Sequence, residues 1–115
     1  MASKSIKPLV ITKDNGSKFT IDYGVLRRAH LTLRALNHPI RKQMLEIMES
    51  KKKVNVTEIY GKLKLEQSVA SQHLAILRRA GVAKASREGK FIWYTADKKR
   101  LEEINNLIQD LAQDE

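Results

Sequence analysis

Cysteine is absent from all 115 residues. That removes disulfides, thiol redox sensing and every thiolate metal site in one step. There is no run of about 18 apolar residues, so no segment reads as a membrane-spanning helix. The opening MASKSIKPLVI lacks a long apolar core and a small-residue cleavage site, and it does not read as a signal peptide. The expected location is cytoplasmic. Histidines are few and scattered: His30, His38 and His73. None pairs with another at helical spacing, and no carboxylate–histidine set has metal-ligand spacing, so no metal and no cofactor is expected. A lone His73 beside an apolar helix face is first of all a packing or hydrogen-bonding residue. The chain has no Gly-rich phosphate loop, nucleophile elbow or paired-carboxylate pocket, so it is not expected to be an enzyme.

Acidic residues are also scarce. There are 13 against 22 lysines and arginines, for a net charge of +9, and the pI is near 9.9. A small basic domain points to a polyanionic partner, nucleic acid or an anionic membrane. No helix combines a basic face with an aromatic-rich insertion face, which argues against a membrane surface. Hydrophobic residues make up 42%, enough for one domain with one modest core.

Residues 1–21 form an N-terminal arm. Within it, Leu9–Thr12 and Lys18–Ile21 are β-prone and flank Asp14-Asn15-Gly16. Asn-Gly between such runs predicts a hairpin, because both residues tolerate positive φ. Two strands are barely stable alone and would need to pack on a helix. The remainder, 22–115, reads as one domain. Asp22 caps a helix through Leu36, with Leu26, Ala29, Leu33 and Leu36 on one side. Asn37-His38-Pro39 breaks it, and proline in a first turn suits a second helix to about Glu49, with Ile40, Met44, Ile47 and Met48 inward. Lys51-Lys52-Lys53 reads as a solvated basic loop. Asn55-Val56-Thr57-Glu58 matches a capping box and opens a short helix ending near Lys64.

The next stretch, Glu66 to Gly81, is the centre of the chain. At helical spacing Ala70, His73, Leu74 and Leu77 share one face. Ser68, Ser71, Gln72, Ala75 and Arg79 share the other. Short hydroxyls, an alanine and an amide replace the long charged side chains usual on an outer face. Such a helix can sit deep in a major groove, where Ser and Gln hydrogen-bond base edges. Two short helices joined by a tight turn, the second with this face, form the helix-turn-helix pattern. After Gly81 the period changes to 2. Val82–Glu88 and Phe91–Ala96 flank Gly89, with Lys84, Arg87 and Lys90 near the tip: a basic β-hairpin. Phe91 and Trp93 share one face, Ile92 and Tyr94 the other; which is inward stays open. Asp97 caps a last helix to about Gln113, striped with Leu101, Ile104, Leu107, Ile108 and Leu111. These aliphatics, with the stripe on the first helix, exceed what a small core absorbs and suggest a second copy.

The order of elements resembles a winged helix, and the residues resemble the ArsR/SmtB family of bacterial repressors. Three segments carry the likeness: Leu33 to Arg41 (LRALNHPIR), Gln67 to Val82 (QSVASQHLAILRRAGV), and Arg87-Glu88-Gly89-Lys90 followed by Tyr94. It implies a mostly α, dimeric winged helix-turn-helix with a small β-hairpin wing. It further implies a transcriptional regulator, a repressor, that binds an inverted-repeat operator in double-stranded DNA as a homodimer at the nucleoid. Gln67, Ser68, Ser71 and Gln72 would face the major groove, and Arg87 and Lys90 in the wing would meet phosphate or the minor groove. The helices at 22–36 and 97–113 would form the dimer interface through Leu26, Leu33, Leu101, Ile104, Ile108 and Leu111. The metal and redox sites of many members are missing, since there is no cysteine and no histidine in 97–115. Glu66 stands where the family often has a Ser-like cap. The inducer and the operator sequence are not legible. A winged-helix protein-interaction module or an RNA binder is the alternative; full exposure of Phe91 or Trp93 would favour RNA.

Overall fold

The computed structural model describes residues 6–113. The outermost residues of the expected arm (1–5) and of the expected domain (114 and 115) lie outside the described residues. The elements in order are β1 (Leu9–Thr12), β2 (Lys18–Ile21), α1 (Tyr23–Leu36), α2 (Pro39–Lys51), β3 (Val54–Asn55), α3 (Val56–Leu63), α4 (Gln67–Arg79), β4 (Ala83–Glu88), β5 (Phe91–Ala96) and α5 (Lys98–Ala112). The helices are mainly those the apolar spacing predicts.

Their ends follow local chemistry. Asp22 accepts from the amides of Gly24 and Val25, starting α1. His38 accepts from Ile40 through Nδ1, and Pro39 occupies the first position of α2. The box at Asn55 closes both ways. Its side chain accepts from Glu58 N at 2.9 Å, and the Glu58 carboxylate accepts from Asn55 N at 3.1 Å. Gly81, at φ +79°, ends α4: Val82 N donates to Leu77 O and Gly81 N to Arg78 O. This is the left-handed helix stop that favours glycine.

The core lies where α2, α3 and α4 meet the sheet. Met44, Met48, Ile59, Leu74 and Leu77 are fully buried there, with Val54 from β3 and Val82 from the segment between α4 and β4. Truncating one of these aliphatics to alanine costs about 2–5 kcal/mol. The sheet order is β3-β5-β4, all antiparallel. The third strand, β3, is too short to leave a period in the sequence. Val54 pairs with Tyr94 and Asn55 with Trp93, so the wing is stitched to the start of α3. The pairing settles the wing's faces. Tyr94 is buried and Ile92 packs on the core, while Phe91 is exposed and Trp93 half-buried.

Residues 6–31, Tyr23 apart, are exposed. The radius of gyration is 18.0 Å, well above the ~13 Å of a compact chain near this size. The N-terminal hairpin has the expected strands, but it differs from the expectation twice. Its turn runs from Lys13 to Gly16, where Gly16 N donates to Lys13 O. Only Gly16 takes a positive φ, and Asn15 instead accepts from Ser17. The hairpin also does not bury itself on a helix. Register places Leu9, Ile11, Phe19 and Ile21 on one face, and each remains 36–48% exposed.

The two aliphatic stripes divide in the same way. Leu33, Leu101 and Ile108 pack partly on the core, whereas Leu26, Leu107 and Leu111 stay exposed. Ile104 requires a correction. At 3% exposure in a single chain it is a core residue, because the start of α5 lies on the body, and it offers no surface to a partner.

Candidate nucleic-acid interface

The site is built on α4. Ala70, Leu74 and Leu77 anchor it to the core, and this anchoring turns Gln67, Ser68, Ser71 and Gln72 to solvent. All four expected base-reading residues therefore share one exposed surface, joined at its C-terminal end by Arg78 and Arg79. The turn before α4 is tight. Lys64 takes a left-handed conformation, and Leu65 N donates back to Tyr60 O at 2.9 Å. Glu66 occupies the N-cap position but makes no side-chain cap bond, so α4 begins without one.

The wing brings its own cations. Gly89 and Lys90 form a two-residue loop between β4 and β5. Arg87 and Lys90 are exposed there and hold no ion pair among the described residues. Two other lysines are engaged: Lys53 meets Glu88 at 2.9 Å and lies over the Trp93 ring, and Lys84 meets Asp97 at 3.5 Å. Neither Phe91 nor Trp93 is fully exposed, the feature that would favour an RNA reader. Phe91 is 43% exposed, and Trp93 is half-buried beneath Lys53.

One residue of this region had no role assigned from sequence. Arg41 is 6% exposed, in the first turn of α2. Its Nε donates to Ala35 O at 2.7 Å, its Nη2 to Arg34 O at 3.2 Å and its Nη1 to His73 Nδ1 at 3.0 Å. It thus closes the carbonyl end of α1 and holds the core side of α4. The signal was present: Arg41, Met44 and Met48 share one helical stripe, and an arginine in an apolar stripe needs acceptors. His73 is the hydrogen-bonding histidine expected. Burial, then His38 at 4.7 Å between ring centroids, then Arg41, push its pKa down. Among the described residues no group of acids and histidines could hold a metal ion.

A short helix, a tight turn, a second helix with a small polar outer face and a flanking basic hairpin define a winged helix-turn-helix, a DNA-binding architecture. Comparison with known proteins agrees. The family described as bacterial regulatory protein, arsR family, matches residues 38–85, from the start of α2 into the wing. The transcriptional repressor PagR of Bacillus anthracis is 34% identical over 91 residues, covering 79% of this chain and 91% of its own. The PagR crystal structure superposes with a TM-score of 0.59, over 76% of this chain and 99% of that one. HlyU from Vibrio cholerae superposes at 0.60 with 30% identity, over 76% and 95%. HlyU is a transcriptional activator by name. The chain belongs to the ArsR family of bacterial regulatory proteins and is a DNA-binding transcriptional regulator. No helix among the described residues is long and apolar enough to cross a membrane.

Proposed function

We propose that this regulator is a sequence-specific repressor that binds an inverted-repeat operator in double-stranded DNA as a homodimer, in the cytoplasm at the nucleoid, and has no catalytic role. The observation that carries this reading is the outer face of α4, where Gln67, Ser68, Ser71 and Gln72 stand free of long charged side chains. In this reading these four contact base edges, while Arg87 and Lys90 contact phosphate or the minor groove.

The homodimer rests on what the single chain leaves uncovered. Residues 22–36 and 97–113 act as dimerisation helices and residues 1–21 as an arm. Leu26 and Leu111 are 49% and 78% exposed, and the apolar face of the hairpin has no cover. Charge supports the pairing. Residues 1–21 hold four lysines against one aspartate, whereas residues 101–115 hold five acids and no base. A basic arm from one copy therefore complements the acidic end of another.

Genome-wide recovery of bound DNA, followed by anisotropy titration with the recovered duplex, a scrambled duplex and the matched RNA, tests the reading. Tight binding to the recovered duplex alone is expected, with an inverted repeat in its sequence. Equal affinity for all three overturns it. Deleting the gene should raise transcription from the recovered promoter; a fall would make the protein an activator.

A further inference from the structure

A groove of about 980 Å³ opens between α1, the end of α4 and the start of α5. Five arginines line it: Arg28, Arg34, Arg41, Arg79 and Arg100. No carboxylate does. Its apolar wall includes Val25, Ala29, Leu31 and Ile76. Every ion pair among the described residues uses a lysine, so none of these arginines has an acidic partner there. Arg28, Arg34 and Arg79 are exposed and Arg100 is half-buried, and the fifth is Arg41. It is nine-tenths buried, all three of its acceptors are neutral, and two of its five N–H groups remain without a protein acceptor among the described residues. A buried guanidinium without a counter-charge is costly, and an anion in the groove would relieve that cost. Burial, and Arg34 nearby, push the Arg41 pKa down, in keeping with a cation short of a partner.

We infer that this groove is an effector site for an anionic amphiphile. Its carboxylate or phosphate head would sit among Arg41 and the other groove arginines, and its apolar body along Val25, Leu31 and Ile76. The size falls within that of ordinary small-molecule sites. The site has a route to DNA. Ile76 and Arg79 follow Gln72 at i+4 and i+7, on one edge of α4. Arg41 also holds His73, on the same helix. A ligand bound with different affinity to the DNA-competent and DNA-incompetent arrangements of α4 shifts operator affinity. This inference rests on the chain's being a DNA-binding regulator.

The test uses the full chain and four probes below their micellar concentrations: decanoate, decyl phosphate, decanol and inorganic phosphate. Calorimetry measures binding, and anisotropy on the recovered operator measures its consequence. At least one of decanoate and decyl phosphate is expected to bind one per chain, the pair reporting which head group is preferred. Decanol and inorganic phosphate should bind about tenfold or more weakly. A double variant, R28Q/R100Q, should keep its fold and its ligand-free operator affinity but lose about tenfold in ligand affinity. The bound ligand should change operator affinity by about fivefold or more. Several results overturn the inference: no binding by either anion, decanol binding as tightly as decanoate, or an operator affinity that ignores the ligand. Loss of ligand-free operator affinity in the double variant would make the groove a DNA-phosphate contact. Dissociation of the double variant into monomers would make it a seat for the acidic end of a second copy. Failure of the unmodified protein to bind any DNA is a separate result, and it would strike the regulator reading itself.

Discussion

Arg41 Nη1 and His73 Nδ1 lie 3.0 Å apart, joining the first turn of α2 to the core side of the recognition helix. Arginine only donates, so His73 must supply a lone pair at Nδ1 and carry its proton on Nε2. The pair therefore requires neutral His73, and burial already favours that form.

Acid should loosen this joint. The unfolded chain takes up the His73 proton near pH 6.5, while the folded chain resists to lower pH because its pKa is depressed. Within that window the unfolded state binds more protons, so stability rises with pH. It is complete above about pH 6.5 and lost progressively below. Urea midpoints from pH 7.5 to 5 should fall, and His73→Gln should flatten the dependence. Identical slopes for the two proteins would remove His73 as the source.

The recognition helix and the wing should fail differently. Gln72→Ala should cost about 1–3 kcal/mol on the operator and relax preference at one base pair per half-site. Lys90→Ala should weaken operator and random DNA alike and reduce the salt slope by about one. Anisotropy over a salt series separates them. An unchanged slope for Lys90→Ala would take the wing out of the phosphate contacts.

Position on the stripes should decide whether a charge separates subunits or unfolds them. Leu26→Glu and Leu111→Glu place the carboxylate on surface left open in the single chain. They should yield folded monomers in sedimentation. Ile104→Glu buries the charge in the core and should unfold the chain, seen as lost helical circular dichroism. A monomeric unmodified protein at micromolar concentration would defeat the homodimer.

Removing the cap of α3 should be costly although Asn55 is only half-buried. Asn55→Ala deletes the acceptor for Glu58 N and should destabilise by about 1 kcal/mol. The urea midpoint should shift with an unchanged slope at fixed protein concentration. No shift would mean that water replaces the cap without loss.

The legible parts of the fold were those with a period or a cap. Spacing alone gave α1, α4 and α5, and single residues, Asp22, Asn55 and Asp97, marked three helix starts. The exposed quartet on α4 followed from the same spacing, since any helix that buries Ala70, Leu74 and Leu77 must turn Ser71 and Gln72 outward. Less legible was whatever depends on three dimensions. Two residues of β3 carry no period. Ile104 and Leu111 stand on one stripe, and only the position of α5 on the body makes the first core and the second surface. Arg41 was hidden because its acceptors come from two other helices, the nearest six residues away and the farthest thirty-two.

Val54 and Asn55 are a small strand with a mechanical result. Asn55 is at once a rung of the wing sheet, opposite Trp93, and the cap of α3. The hairpin and the helix pair therefore cannot swivel independently about a hinge between them. They reach a DNA surface as one preformed tool, and little freedom remains in their relative orientation to be lost on docking.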